Sequence, residues 1–166
     1  MKWPDWMGRT VLPGDTLYRR VVELARTPEW FEAGQVPDTI DGRFDVVALV
    51  TALVLLRLEG EDAAQFSVDL TERFIADMDG SLRQMGIGDP TLGKQVGHMV
   101  GALGGRLGAY REALAGQAPL SEALARNLYR GEPVEPEALA WSERRVRDLA
   151  ARLAGRPLQS LKEGSL

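Results

Sequence analysis

Apolar residues recur at helical spacing along most of this chain, and no stretch alternates in the way a half-buried strand would. After Gly14-Asp15, Leu17, Val21, Val22 and Leu24 mark one helix, with Asp15 as its expected N-cap. Thr27-Pro28 pairs a capping residue with a proline at the first helical position, and Gly34 ends the short turn PEWFEA. Asp38 to Gly42 reads as a turn or cap. From Phe44 to Leu58 only Asp45, Thr51 and Arg57 interrupt the apolar residues. A helix apolar on nearly every side has to be enclosed by other helices, so this segment is the expected centre of the fold. Glu61 to about Met85 presents Phe66, Leu70, Phe74, Ile75, Met78 and Leu82 on one side, and Gly86 to Pro90 breaks it. Helical patterns resume over 91–115, Ser121–Tyr129 and about Glu137–Ala154. The expected fold is therefore all-α, a single-domain irregular bundle of six or seven helices over residues 15–155. An N-terminal extension (1–14) and a C-terminal tail (156–166) flank it.

Composition narrows this without redirecting it. The chain has 166 residues, 45% of them apolar, enough for one compact core, and no cysteine for disulfides or thiolate chemistry. Its longest apolar stretch, VVALVTALVLL, falls short of a membrane span, and MKWPDWMG lacks the apolar run of a secretory signal. A cytoplasmic protein is the expectation. Charge is uneven: residues 1–89 carry nine Lys/Arg against sixteen Asp/Glu, whereas residues 90–166 carry eleven against eight. A net acidic chain argues against DNA binding, and its basic second half leaves room for contact with an anionic surface.

One stretch has the lettering of an enzyme. FIADMDGSL, residues 74–82, matches the Asp-x-Asp pair of haloacid dehalogenase-like phosphatases, which would make Asp77 the nucleophile and Asp79 the acid/base beside magnesium. That chemistry needs a strand, yet DLTERFIAD is spaced as a helix, where residues two apart diverge by about 200°. Solvated charges partnered with Arg73 or Arg83 are the simpler expectation. His98, the single histidine, has no identifiable catalytic partner. Glu59, Glu61 and Asp62 read as an interhelical corner, and GIGDPTLGK lacks the spacing and preceding strand of a phosphate loop. No cofactor or metal is implied.

The segment 93–110 carries a different signal. On a helix, Gly93, Gly97, Gly101, Gly104 and Gly108 share a stripe about 80° wide, beside a ridge of Val96, Val100, Leu103, Leu107, Tyr110 and Leu114. Each interior glycine costs about 1 kcal/mol relative to alanine, so close backbone contact is the expected compensation. A neighbouring helix of the same domain is the first expectation for what fills that stripe, and a partner's helix is the alternative. Trp3, Trp6 and Met7 are expected to pack on the domain, with an interfacial anchor as the alternative. The arginines of SERRVRDLAARLAGR, residues 142–156, are expected to form a solvated face behind an apolar ridge of Val146, Leu149 and Leu153.

Several blocks in order resemble the ubiquinol–cytochrome c chaperone family. They are Val36 to Asp45, Phe74 to Asp89 with its Met-Gly-x-Gly-Asp turn, and Gly93-Lys94. Met99, Gly105-Arg106 with Tyr110, and Arg126-Asn127-Leu128-Tyr129 continue the series. The resemblance spans roughly residues 15 to 130. Gln84 departs from it where the family tends to be acidic, and Gly104 where a bulkier residue is usual. What the resemblance implies is a non-enzymatic assembly chaperone whose client is cytochrome b of the respiratory cytochrome bc complex. It would work at the cytoplasmic face of the membrane, in peripheral contact with it, and with a second assembly factor or the ribosome as further partners.

The expected partner-binding residues are Lys94, Gly97, Met99, Gly101, Gly104, Arg106 and Gly108, with Asp77, Asp79 and Arg83 as a second group. Two rival readings remain: an RNA- or ribosome-binding helical module using the basic second half, and a small magnesium-dependent phosphohydrolase using Asp77 and Asp79.

Overall fold

The structure, a computed structural model, describes residues 14–84 and 89–166; at 82–84, 89–93, 95 and 96 it describes the backbone alone. Seven α-helices make up the described chain: α1 (Asp15–Ala25), α2 (Ile40–Leu58), α3 (Ala64–Gln84), α4 (Asp89–Leu114), α5 (Leu120–Asn127), α6 (Pro136–Ala154) and α7 (Leu158–Lys162). A 3-10 turn at Pro28–Trp30 follows α1. No strand occurs among the described residues, and the fold is an all-α, single-domain bundle.

Helix α2 is the axis. Thirteen of its nineteen residues are buried, and α1, α3, α4 and α6 all pack on it. Fully burying each of its leucines and valines contributes about 1.5–3 kcal/mol, which is why so apolar a helix is stable only at the centre. Its start is fixed locally. Thr39 caps it, its hydroxyl oxygen accepting from the Gly42 amide at 3.1 Å. The chain doubles back so tightly there that a Cβ on Gly42 would lie 1.8 Å from the Pro37 carbonyl oxygen.

The other end of α2 ties down α6. Arg57 donates to the carbonyls of Leu153 at 2.9 Å and Arg156 at 2.7 Å, and pairs with Glu61 at 3.0 Å. One of these carbonyls belongs to the last turn of α6 and the other lies just past it, so a single guanidinium holds the end of that helix against α2. Val146, Leu149 and Leu153 line the buried side of α6, as the apolar ridge of 142–156 requires, while Arg144, Arg147 and Arg152 are exposed.

Some local expectations shift. The N-cap of α1 is Gly14 rather than Asp15, and Asp15 instead pairs with Arg73 of α3 at 2.6 Å. Residues 156–166 carry α7, which packs on α1 and places Leu161 and Leu166 in the core. The three leucines of this stretch, Leu158, Leu161 and Leu166, offer too little periodicity to mark a helix of five residues. Trp3, Trp6, Met7 and the Gly86–Gly88 turn lie outside the described residues. No helix among the described residues is long and apolar enough to cross a membrane.

Candidate functional site

Between α1, the N-terminal half of α2, α3 and α4 lies a cleft of about 1340 Å3. Small-molecule sites commonly occupy about 300–1,000 Å3, so this cleft has room for a segment of polypeptide. Its apolar wall comes from every side: Phe31 after the 3-10 turn, Ile40, Phe44 and Val47 on α2, Met78 on α3, and Met99 on α4. Ile40, at the mouth, is 59% exposed, and Phe31, Phe44 and Met99 are half-buried. Helices α3 and α4 reach this wall because Phe74 and Leu70 of α3 and Leu103 and Tyr110 of α4 sink into the core beside α2.

Charge rings the wall. Asp38 pairs with Arg43 at 2.8 Å and Asp41 with Arg130 at 3.2 Å, while Arg26, Glu32 and His98 complete the rim. Beneath it sits a buried clamp. Asp45 is 1% exposed and accepts from Arg106 at 2.7 Å and from Arg130 at 2.7 and 3.1 Å. Burial lifts the Asp45 carboxyl above its ordinary range, and the two guanidiniums only partly pull it back. Arg130 is held more firmly charged by the same contact, first through its bond to Asp45. Two cations on one carboxylate offset part of the cost of burying its charge. Arg106 also stands over the Phe44 ring, 5.4 Å from its centroid, so the clamp fixes an aromatic of the wall. Arg130 has a left-handed backbone (φ 55°), a conformation that costs a non-glycine residue about 1–2 kcal/mol and that its bonds to Asp45 offset.

On the α3 side, Asp77 lines the cleft and accepts from the Tyr18 hydroxyl at 2.5 Å. Burial, with Asp77 alongside, pushes the Tyr18 phenol well above its ordinary value, so it remains a donor. Asp79 is half-exposed and does not line the cleft. Both aspartates stand on an α-helix, and no group of acidic or histidine side chains suited to a metal occurs among the described residues. The strand that phosphatase chemistry needs is therefore absent at this motif.

The structure divides the sequence-derived candidates. Asp77 and Met99 meet in the cleft, and Arg106 supports its floor. Lys94, Gly97, Gly101 and Gly104 are exposed and Gly108 half-exposed, and none of the five lines the cleft. The side chain of Arg83 lies outside the described residues. The expectation that another helix of the domain fills the glycine stripe is corrected: a Cβ at Gly97, Gly101, Gly104 or Gly108 would meet nothing within 4 Å among the described residues. Tyr110, Leu103 and Ala113 face the core from the opposite side of α4, which leaves the glycines toward solvent.

Sequence reasoning missed Asp45 with Arg130, and Tyr18 under Asp77. A lone acid in a helix apolar all round was the available signal, because a buried charge requires a partner. It could not say which arginine, 61 or 85 residues away, would supply it.

Comparison with known proteins gives two matches. The model of the ubiquinol–cytochrome c chaperone family matches residues 32–166. The crystal structure of the Cbp3 homolog from Brucella abortus superposes with a TM-score of 0.81 at 30% identity, covering 93% of this chain and 87% of that one. No curated protein matches.

Proposed function

The chain belongs to the ubiquinol–cytochrome c chaperone family, and from that premise we propose that it shields cytochrome b while the respiratory bc complex is assembled. The work is done without turnover, at the cytoplasmic face of the membrane. An apolar stretch of client lies in the cleft against Phe31, Phe44, Met78 and Met99, with Asp77 and the Arg106 clamp at its side.

The observation that carries this reading is the cleft itself: peptide-sized, apolar on its wall and charged on its rim. Each 100 Å2 of apolar client surface covered there contributes about 2.5 kcal/mol, part of which is spent ordering the client. A half-exposed wall keeps the complex weak enough to hand its client to the bilayer. The glycine stripe of α4 lies outside the cleft and takes no part in this grip.

A photo-reactive residue placed at Met99 in cells tests the reading. Cytochrome b is the expected captured chain, and the same probe at Gly104 captures none of it. Normal accumulation of cytochrome b and of assembled bc complex in a strain lacking the protein would overturn the proposal.

A further inference from the structure

We infer that the cleft prefers apolar segments that carry a lysine or arginine, and that Asp77 is the residue that reads this cation. The inference rests on the client-binding cleft proposed above and names the chemistry of what that cleft takes.

The charges around the cleft are unequal in their partners. Asp38 and Asp41 each hold an arginine of the fold, at 2.8 and 3.2 Å. Asp77 holds none: among the described residues its carboxylate has the Tyr18 hydroxyl at 2.5 Å and no cation within ion-pair distance. Arg73, one turn earlier, is engaged by Asp15 at 2.6 Å. A carboxylate accepts at about four lone-pair positions, so one hydroxyl leaves capacity for a further donor. The Tyr18 phenol, pushed up by burial and by Asp77 itself, stays a donor and fixes where the carboxylate sits. Met78 adjoins Asp77 in the lining.

An apolar wall beside a carboxylate that holds no cation suits a particular kind of segment. Membrane-spanning helices are apolar and carry an excess of Lys and Arg at their cytoplasmic ends. The aliphatic stem of such a residue lies along apolar surface while its charge reaches a polar group. An apolar segment flanked by acidic residues would instead bring like charges together, which is a mark against the wrong partner.

The test is fluorescence anisotropy of the full chain with three labelled leucine-rich amphipathic peptides, alike except for one residue: lysine, glutamine or glutamate. At low salt the lysine peptide is expected to bind about tenfold tighter than the glutamine peptide, and the glutamate peptide weakest. In Asp77→Asn the lysine-to-glutamine ratio collapses toward one. Asp77→Ser, which keeps an oxygen near Tyr18, behaves alike, and circular dichroism checks the fold of both. Equal affinity of the wild type for lysine and glutamine peptides overturns the inference and leaves the cleft reading standing. So does a lysine preference that survives in both folded variants. If the wild type binds none of the three, the cleft reading falls and the inference with it.

Discussion

Helix α4 turns two different faces outward. Toward the cleft it presents His98, Met99 and Ala102, with Arg106 beneath them reaching Asp45; away from it stand Gly97, Gly101, Gly104 and Gly108 with nothing against them among the described residues. The glycine face is the more regular in sequence, and the cleft face is the one with partners from four elements. Regular spacing reports which residues share a side of a helix, but only the fold reports what lies opposite that side. The contrast with Gly42 is instructive. There a glycine is dictated by a carbonyl 1.8 Å from where its Cβ would be, whereas along α4 the missing side chains leave open space.

That difference can be tested from its strongest term downward. Asp45→Asn removes the counter-charge of Arg106, which is 11% exposed, and should cost about 3–5 kcal/mol; chemical denaturation measures it. A loss below about 1 kcal/mol would mean the clamp does not hold the cleft together.

The core under both faces holds every tyrosine of the chain, Tyr18, Tyr110 and Tyr129. Burial raises all three phenols above their ordinary range. A raised folded value leaves stability complete below about pH 10 and removes it as pH climbs further, by up to about 4 kcal/mol per pH unit if all three ionise on unfolding. Tyrosinate absorbance and circular dichroism should therefore change together, well into the alkaline range. A phenol that ionised near pH 10 in the folded protein would contradict its burial.

Gly42→Ala should cost about 3 kcal/mol or more, because the start of α2 must open to admit the methyl group. The glycine face predicts the reverse sign. Gly97→Ala, Gly101→Ala and Gly104→Ala should each raise stability by about 0.5–1 kcal/mol and leave capture of the client from Met99 unchanged. Loss of capture in those variants would move the client surface from the cleft to the glycines.

The helical segments other than α7 were readable from periodicity because their apolar residues are numerous and evenly spaced. Leu70, Phe74 and Met78 reach the core as their spacing on α3 requires, and α2 lies at the centre as its composition demands. The family was readable as well, from short blocks in a fixed order. The cleft was legible only in fragments. Asp77, Met99 and Arg106 could be picked out singly, but their meeting depends on how α3 and α4 cross α2, which no local pattern encodes. Phe31 and Arg130 owe their places to turns, where a residue's neighbours in space come from distant parts of the chain. The paired aspartates misled in lettering alone, since the helix that carries them was itself readable from the spacing.

The Asp45 clamp also imposes an order on synthesis. Domains take shape as the chain leaves the ribosome, N-terminal parts first, and Arg106 and then Arg130 emerge long after Asp45. Until Arg130 is out, the central helix carries an acid with at most one of its two cations, and the cleft lacks part of its rim. A newborn copy of this protein therefore completes the rim of its cleft only after its fifth helix has been made.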